Sequence, residues 1–254
     1  MDPLSQVFTD EGFRPLWETV AWNTIENAVL IDGLDVSGLS DDEVIQQAFS
    51  LHLDSTEGDS NGEEAASEAA VRVKAIAWVT NHEPDLKRQG DEFLREGRHS
   101  FATLIYATWI EHWINRIILY RAIGSGTHPE LATALIRSSR MDLKLGRIWT
   151  SLGMPKFPKE LARQVTRVME SRNAFVHYKW PSADEEAHSE SIKRVEVEAR
   201  QAQETVTALI ELEDSVLYDG RSESLKATFR KNWYEKRRQA LNSEESNEAP
   251  QASD

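Results

Sequence analysis

One nine-residue segment, Glu170-Ser-Arg-Asn-Ala-Phe-Val-His-Tyr178, brings together side chains that could act on a phosphodiester. It holds a permanent cation (Arg172), an amide (Asn173) and a titratable imidazole (His177) within six residues. On a helix, Asn173 and His177 are four residues apart and share a face. Arg172 and His177 are five residues apart, about 140° around the axis, and an arginine side chain is long enough to reach a phosphate held near the imidazole.

These residue types suit the cleavage of RNA without a metal. The 2′-hydroxyl must lose a proton, and a histidine with an ordinary pKa of about 6.5 can serve as general base or general acid. Charge accumulates on the phosphate in the transition state, where a planar guanidinium donates two hydrogen bonds. Asn173 could bind a phosphate oxygen or orient the imidazole.

The motif closes a late helix that ends before Pro181, and Asn173 directly follows the arginine. In these features the chain resembles the HEPN ribonucleases, whose signature is an arginine and a histidine separated by four to six residues. The resemblance covers residues 99–218 and implies a metal-independent endoribonuclease of the kind found among prokaryotic toxins and antiviral effectors. It also implies a homodimer with one composite active site, in which Arg172 and His177 are catalytic and Asn173 assists.

A structural interpretation of the motif stays open, because cations at a helix C-terminus interact favourably with the helix dipole. A second match to the spacing, Arg121 and His128, is rejected because Gly124-Ser-Gly126 breaks the helix between them. One branch of the HEPN family carries His-x-Tyr, with the tyrosine as a modification site. Here Tyr178 follows His177 directly, so we do not expect regulation through this tyrosine.

Residues 99–122 form the most apolar segment of the chain and are predicted to be a central or interface helix. Its narrow polar strip contains Glu111 and Asn115. These residues either face solvent or, as similar positions in the HEPN family imply, support the catalytic helix. The aromatic residues of the segment are predicted to pack or to form a dimer interface rather than to stack on bases; they are Tyr106, Trp109, Trp113 and Tyr120.

Basic residues surround the motif, since residues 137–180 contain ten basic and three acidic side chains. Arg163, Arg167 and Lys179 are candidate contacts to the RNA backbone, and such binding would weaken with salt. The alternative is that these side chains only solvate helix faces. The other basic residues before the motif are Arg137, Arg140, Lys144, Arg147, Lys156 and Lys159.

Other kinds of site have no support in the sequence. It contains no GxxxxGK[ST], GxGxxG or GxSxG pattern and no cysteine. The seven histidines include no His-x-x-x-His or HExxH pair, so we expect neither a metal nor a cofactor.

The charge of the chain is unevenly distributed. The 254 residues include 43 acidic and 29 basic side chains, a formal net charge of −14. Residues 1–64 contain 15 acidic residues and one basic residue, so this arm carries the whole imbalance and the acidity does not count against RNA. Whether the arm inhibits, docks to a partner or only solubilises stays open. No apolar run approaches the length of a membrane span and no signal-peptide pattern is present, so we expect a cytoplasmic protein without membrane contact.

Helical periodicity recurs along the chain and no alternating strand pattern is convincing. We therefore predict an all-α fold, a helical bundle of HEPN type with an additional N-terminal acidic helical segment. The predicted helices beyond the arm include 63–82, 85–97, 99–122, 141–152, 158–179 and 184–218. The predicted organisation is an acidic helical segment (1–53), a flexible linker (54–66), a HEPN-like helical domain (67–241) and a disordered acidic tail (242–254).

Two functional hypotheses follow. The first is an endoribonuclease that acts as a toxin or antiviral effector, with RNA, a second copy and an antitoxin or another regulatory protein as partners. The alternative is a non-catalytic helical protein-interaction module with a HEPN-like fold, which the large acidic arm favours.

Overall fold

The computed structural model describes residues 14–57, 81–176 and 185–248, with side chains described at 18–51, 81–176 and 193–235, and these residues form helices without strands. The predicted all-α class is confirmed for these residues. A helix we label α6 (141–151) joins two short α-helical turns, Met141–Leu143 and Trp149–Ser151, through a π-helical segment, Lys144–Ile148. The others are α1 (Arg14–Leu30), α2 (Asp41–Glu57), α3 (Glu83–Arg95), α4 (His99–Gly124), α5 (Pro129–Ser138), α7 (Lys159–Val176), α8 (Glu185–Leu217) and α9 (Ser222–Glu248).

These helices divide into two compact units. The smaller unit contains α1, α2 and α9, and the larger unit contains α3 to α7 and α8 as far as Val216. The predicted domain 67–241 differs from this division because the apolar face of α9 packs with the N-terminal helices. Leu225 and Trp233 are buried there, and the ring of Phe229 stacks on Phe49 of α2 at 6.2 Å.

Arg221 fixes the start of α9 to the segment that precedes α2. Its guanidinium donates hydrogen bonds to the carbonyl oxygens of Val36 at 2.6 Å and Leu39 at 2.8 Å. It also pairs with the Asp41 carboxylate at 3.2 Å, and Ser224 donates a further hydrogen bond to that carboxylate. The smaller unit is therefore closed by contacts between residues about 180 positions apart in the chain.

Two predicted boundaries fall inside helices. Helix α2 continues to Glu57, past residue 54 where the linker was expected to begin, and α9 continues to Glu248, past the expected start of the tail at 242. Neither extension contains Gly or Pro, and a helix that is already nucleated adds residues of modest propensity at little cost. The remainder of the predicted linker and tail, and most of the predicted helix 63–82, lie outside the described residues.

Helix α4 is the centre of the larger unit and contacts α3, α5, α6 and α7. The four aromatic side chains that the sequence singles out on this helix are all buried, so they pack in the core. Within the part of the chain that the structure describes, no helix has both the length and the apolar character needed to cross a membrane.

Helices α3 and α4 approach closely at Gly90, where a Cβ would lie 2.6 Å from the ring of Tyr106. The Tyr106 hydroxyl donates a hydrogen bond to Asp91 Oδ1 at 2.6 Å, and Gln203 of α8 donates to the same oxygen at 2.9 Å. Lys87 pairs with the other oxygen at 2.7 Å. Burial acts to raise the pKa of Asp91, but these three hydrogen bonds outweigh it and lower the pKa below 3.8.

Candidate functional site

Arg172 extends the apolar stripe with which α7 packs on the core. The buried members of this stripe are Leu161, Val165, Val168 and Met169. Arg172 follows Val168 and Met169 at helical spacing, so its side chain leaves α7 on the side that faces the interior. The side chain is 34% exposed. The guanidinium is therefore held at the edge of the core, where solvent and ligands can reach it.

The partner of Arg172 is Glu111 on α4, one of the two supporting residues that the sequence suggests. Arg172 Nη2 lies 3.6 Å from Glu111 Oε2, which is longer than an ordinary hydrogen bond. Glu111 is also partly exposed, at 37%. The buried Nε of Arg172 has no hydrogen-bond partner among the described residues. The ion pair thus orients the guanidinium, and an anion can reach only the part of the side chain that stays exposed.

Asn115, the other suggested supporting residue, lies one helical turn after Glu111 and binds a lysine that the sequence does not single out. Its Oδ1 accepts a hydrogen bond from Lys144 Nζ at 2.7 Å. Lys144 is only 4% exposed. Burial lowers the pKa of Lys144, and the negative charge of Glu111 acts in the opposite direction. Glu111 is therefore influenced by two cations, Lys144 and Arg172.

The π-helical segment of α6 begins at Lys144. Leu145 and Ile148 of the same segment are also buried, so this segment contributes three buried side chains to the core. Single π-turns inside α-helices occur frequently at functional sites. Among the basic residues before the motif, nothing in the sequence distinguishes Lys144, since lysine is ordinarily an exposed residue.

The remaining residues of the predicted motif are only partly described. Asn173 is exposed, and at about 100° per residue it lies on a different side of α7 from Arg172. Helix α7 is described as far as Val176. His177 and Lys179 lie outside the described residues, so the arginine–histidine geometry stays a prediction.

The structure separates Arg163 and Arg167 from Arg172. Arg163 precedes Arg172 by nine residues, which is about half a turn around α7, and both Arg163 and Arg167 are exposed. They line a shallow pocket of about 440 Å³ with Leu145 and Gly146 of α6. Arg163 is also paired with Glu160 at 3.1 Å. The predicted backbone contacts and the predicted catalytic arginine therefore do not form one surface on α7.

A second charged cluster, which the sequence does not reveal, lies where α3, α4 and α8 meet. Arg116 donates to both carboxylate oxygens of Glu83, at 2.7 and 2.9 Å, and to Glu213 at 3.0 Å. Trp113 Nε1 donates to Glu213 as well. Burial raises the pKa of Glu83, and the nearby Arg116 offsets only part of this effect. Because Arg116 is 7% exposed and its partners are also largely buried, this cluster stabilises the fold and offers no open site.

Where side chains are described, at 18–51, 81–176 and 193–235, no group of three His, Asp or Glu side chains is arranged to hold a metal ion. The chain matches no protein-family model, and no curated protein and no solved structure is significantly similar to it. A partly exposed arginine that is oriented by one glutamate can bind a phosphate, and the buried Lys144, which also acts on Glu111, adds positive charge.

Proposed function

We propose that the protein is a metal-independent endoribonuclease of the HEPN type. The observation that carries the proposal is the state of Arg172, whose guanidinium is held by Glu111 through a contact of 3.6 Å while one-third of the side chain stays exposed. Such a guanidinium can bind a phosphodiester and stabilise the charge that builds up on it during cleavage. His177, five residues later in the sequence, supplies the group that moves protons.

In this reaction the 2′-oxygen of the substrate attacks the adjacent phosphorus while the bond to the 5′-oxygen breaks. The 2′-hydroxyl loses a proton and the departing 5′-oxygen gains one, so the products are a 2′,3′-cyclic phosphate and a 5′-hydroxyl. His177 acts as general base or general acid, and Arg172 binds the non-bridging oxygens. Asn173, four residues before His177, assists by orienting the imidazole. No step consumes a cofactor.

The biological part of the proposal rests on the resemblance to HEPN ribonucleases. It comprises a homodimer in which two motifs share one cleft, a role as toxin or antiviral effector, and restraint by an antitoxin or another regulatory protein. RNA as the substrate implies action in the cytoplasm. Arg163, Arg167 and Lys179 remain candidate backbone contacts, and the separation of the first two from Arg172 requires the RNA to extend around α7.

The test is RNA cleavage by the purified full-length protein in EDTA, with single-stranded and structured substrates. We expect Arg172→Ala and His177→Ala to reduce the rate by about 10²–10³-fold. Arg200→Ala is a matched control, because Arg200 on α8 is an exposed arginine paired with Glu196, as Arg172 is paired with Glu111. Cleavage should leave cyclic phosphate ends and should stop at a 2′-deoxy position. Intact RNA with the wild type, or equal rates in all three variants, would refute the proposal.

The second candidate is a non-catalytic protein-interaction module. The same ion pair favours it, since Arg172 and Glu111 could join α7 to α4 without any chemistry. A cellular assay separates the candidates, because a module predicts that His177→Ala leaves the phenotype of the expressed protein intact. Loss of growth inhibition in His177→Ala, at equal protein level, would exclude the module and support the nuclease.

A further inference from the structure

Three phenylalanines from three helices form an aromatic cluster beside the Arg172 end of α7. The ring of Phe101 on α4 lies 5.9 Å from the ring of Phe93 on α3 and 5.9 Å from that of Phe175 on α7. Phe101 is 44% exposed, in contrast to the buried aromatic residues further along α4. Single exposed apolar residues are common, but a group of partly open aromatic rings indicates a binding surface.

A cation is held over this cluster. Arg98 Cζ lies 4.3 Å from the centre of the Phe93 ring and 4.7 Å from that of Phe101. These contacts are favourable cation–π interactions, and they restrict an otherwise mobile side chain. Arg98 is about half exposed and has a loose ion pair with Glu96 at 3.6 Å. The cluster therefore presents an apolar ring and an oriented positive charge together.

The cluster adjoins the proposed catalytic arginine. Phe175 follows Arg172 by three residues, which places it about 4.5 Å further along α7 and about 60° around the axis. Glu111, which pairs with the guanidinium, lies ten residues or about 15 Å from Phe101 along α4. An RNA strand whose phosphate is bound by Arg172 therefore brings a base a few nucleotides away to the cluster. Proteins that read single-stranded RNA bind unstacked bases on aromatic rings and on arginine guanidinium planes.

We infer that Phe93, Arg98, Phe101 and Phe175 form a binding site for an unpaired nucleobase of single-stranded RNA, a few nucleotides from the phosphate bound by Arg172. Phe101 supplies the stacking surface, and Arg98 extends the stack and binds the adjacent phosphate. The inference rests on the proposed ribonuclease function for the position of that phosphate. It restricts the substrate to single-stranded RNA, since the bases of a duplex are stacked inside the helix and cannot reach the rings.

The test measures binding separately from cleavage. The probe is a short, unstructured, fluorescein-labelled RNA with 2′-O-methyl groups throughout, which lacks the attacking hydroxyl, and its dissociation constant for the full-length protein is measured by anisotropy. We expect Phe101→Leu, which keeps an apolar side chain but removes the ring, to weaken binding about 5- to 100-fold. Phe101→Tyr keeps the ring and should bind within about twofold of wild type.

Two further variants complete the design. Tyr234→Leu is the matched control, because it removes an aromatic residue of similar exposure (42%) from α9, and its affinity should equal that of wild type. Arg98→Gln should lower the slope of log Kd against log salt by about 0.7, the value for one phosphate contact to a single strand. Because Arg98 is a surface residue, this variant also decides the question if Phe101→Leu fails to fold.

The outcomes distinguish the two proposals. Wild-type affinity in both Phe101→Leu and Arg98→Gln overturns the base site, as does equal or tighter binding of a 2′-O-methyl duplex. A wild-type protein that binds neither probe overturns it too and points to a protein ligand for this surface. If binding depends on Phe101 but no natural RNA is cleaved, the ribonuclease proposal fails and the base site stands. If Arg172-dependent cleavage is observed while Phe101→Leu binds and cleaves normally, only the base site fails.

Discussion

Arg116 of α4 pairs with glutamates of α3 and α8, and Arg172 of α7 pairs with Glu111 of α4. The two ion pairs lie at different depths in the larger unit. Arg116 is 7% exposed and donates to two carboxylates at hydrogen-bonding distances of 2.7–3.0 Å. Arg172 is 34% exposed, and its contact to Glu111 measures 3.6 Å. Each ion pair contains one residue of α4, Arg116 in the first and Glu111 in the second. These two residues are five positions apart in the chain and about 140° apart around the helix axis.

This difference shows that residue type alone does not assign a role to an ion pair. When a buried partner is removed, the other charge stays in a medium that solvates it poorly, so the cost is large. When an exposed partner is removed, water replaces it and the cost is small. The cluster at Arg116 therefore maintains the fold, whereas the pair at Arg172 can exchange its partner for a ligand.

The largest effect on stability is expected at Arg116. Arg116→Ala leaves Glu83 and Glu213 without their shared cation, so we expect the free energy of unfolding to fall by about 3–5 kcal/mol. Urea denaturation followed by tryptophan fluorescence measures it, because Trp109, Trp113 and Trp149 all lie in the larger unit. The exposed control Arg200→Ala should lose less than about 1 kcal/mol. A loss below 1 kcal/mol for Arg116→Ala would contradict the contrast drawn between the two arginines.

The second-largest effect on stability is expected at Gly90, where α3 packs closely against α4. Gly90→Ala places a methyl group against the Tyr106 ring, and we expect a loss of about 1–3 kcal/mol in the same assay. Gly146→Ala on α6 is the control, since no atom lies within 4 Å of its added Cβ and its helical propensity improves. Equal stability of the two variants would mean that the α3–α4 interface can relax around the added methyl group.

A smaller effect is expected on the pH dependence of stability, and its source is Asp91. Asp91 has a lowered pKa when folded, so its contribution to stability is present above its ordinary value of 3.8 and is lost as the pH falls through the folded value. At neutral pH we expect Asp91→Asn to be about 1–2 kcal/mol less stable than wild type. Denaturation at a series of acidic pH values should show this difference narrowing. A difference that stays constant into the acid range would show that the carboxylate charge is not what Tyr106 and Gln203 stabilise.

The smallest effect on stability is expected at the candidate site. Arg172→Ala and Glu111→Gln should each change the free energy of unfolding by less than about 1 kcal/mol, because both side chains are more than one-third exposed. The matched comparison is Arg116→Ala under identical conditions. If Arg172→Ala were as destabilising as Arg116→Ala, Arg172 would be a structural residue and any loss of RNA cleavage in that variant would follow from unfolding.

Much of the helical structure could be predicted from the sequence, because amphipathic periodicity is a local property. The predicted helix 99–122 corresponds to α4, and the predicted helix 184–218 corresponds to α8. Which helices pack together is not local. The apolar residues of α9 predict a helix, but nothing in their spacing indicates that they pack on α1 and α2 rather than on the helices of the larger unit.

The candidate site could be predicted to a similar, limited extent. Its residue types and the helix positions of Arg172, Glu111 and Asn115 follow from the sequence, and the structure brings Arg172 and Glu111 together. The burial of Lys144 could not be predicted, because lysine is ordinarily exposed and nothing in the sequence distinguishes this one from the neighbouring basic residues. The separation of Arg163 from Arg172 follows from 100° per residue, but their nearness in the sequence favoured treating them as one surface.

The packing of α9 on α1 and α2 has a consequence for biosynthesis. Arg221 and Asp41 are 180 residues apart in the chain, so α1 and α2 are synthesised well before the helix that completes their unit. At ordinary elongation rates this interval is roughly 10–40 s. During that time the apolar surface around Phe49 lacks its partner Phe229. The smaller unit can therefore be completed only after the larger one has been synthesised, and until then this apolar surface stays without its native partner.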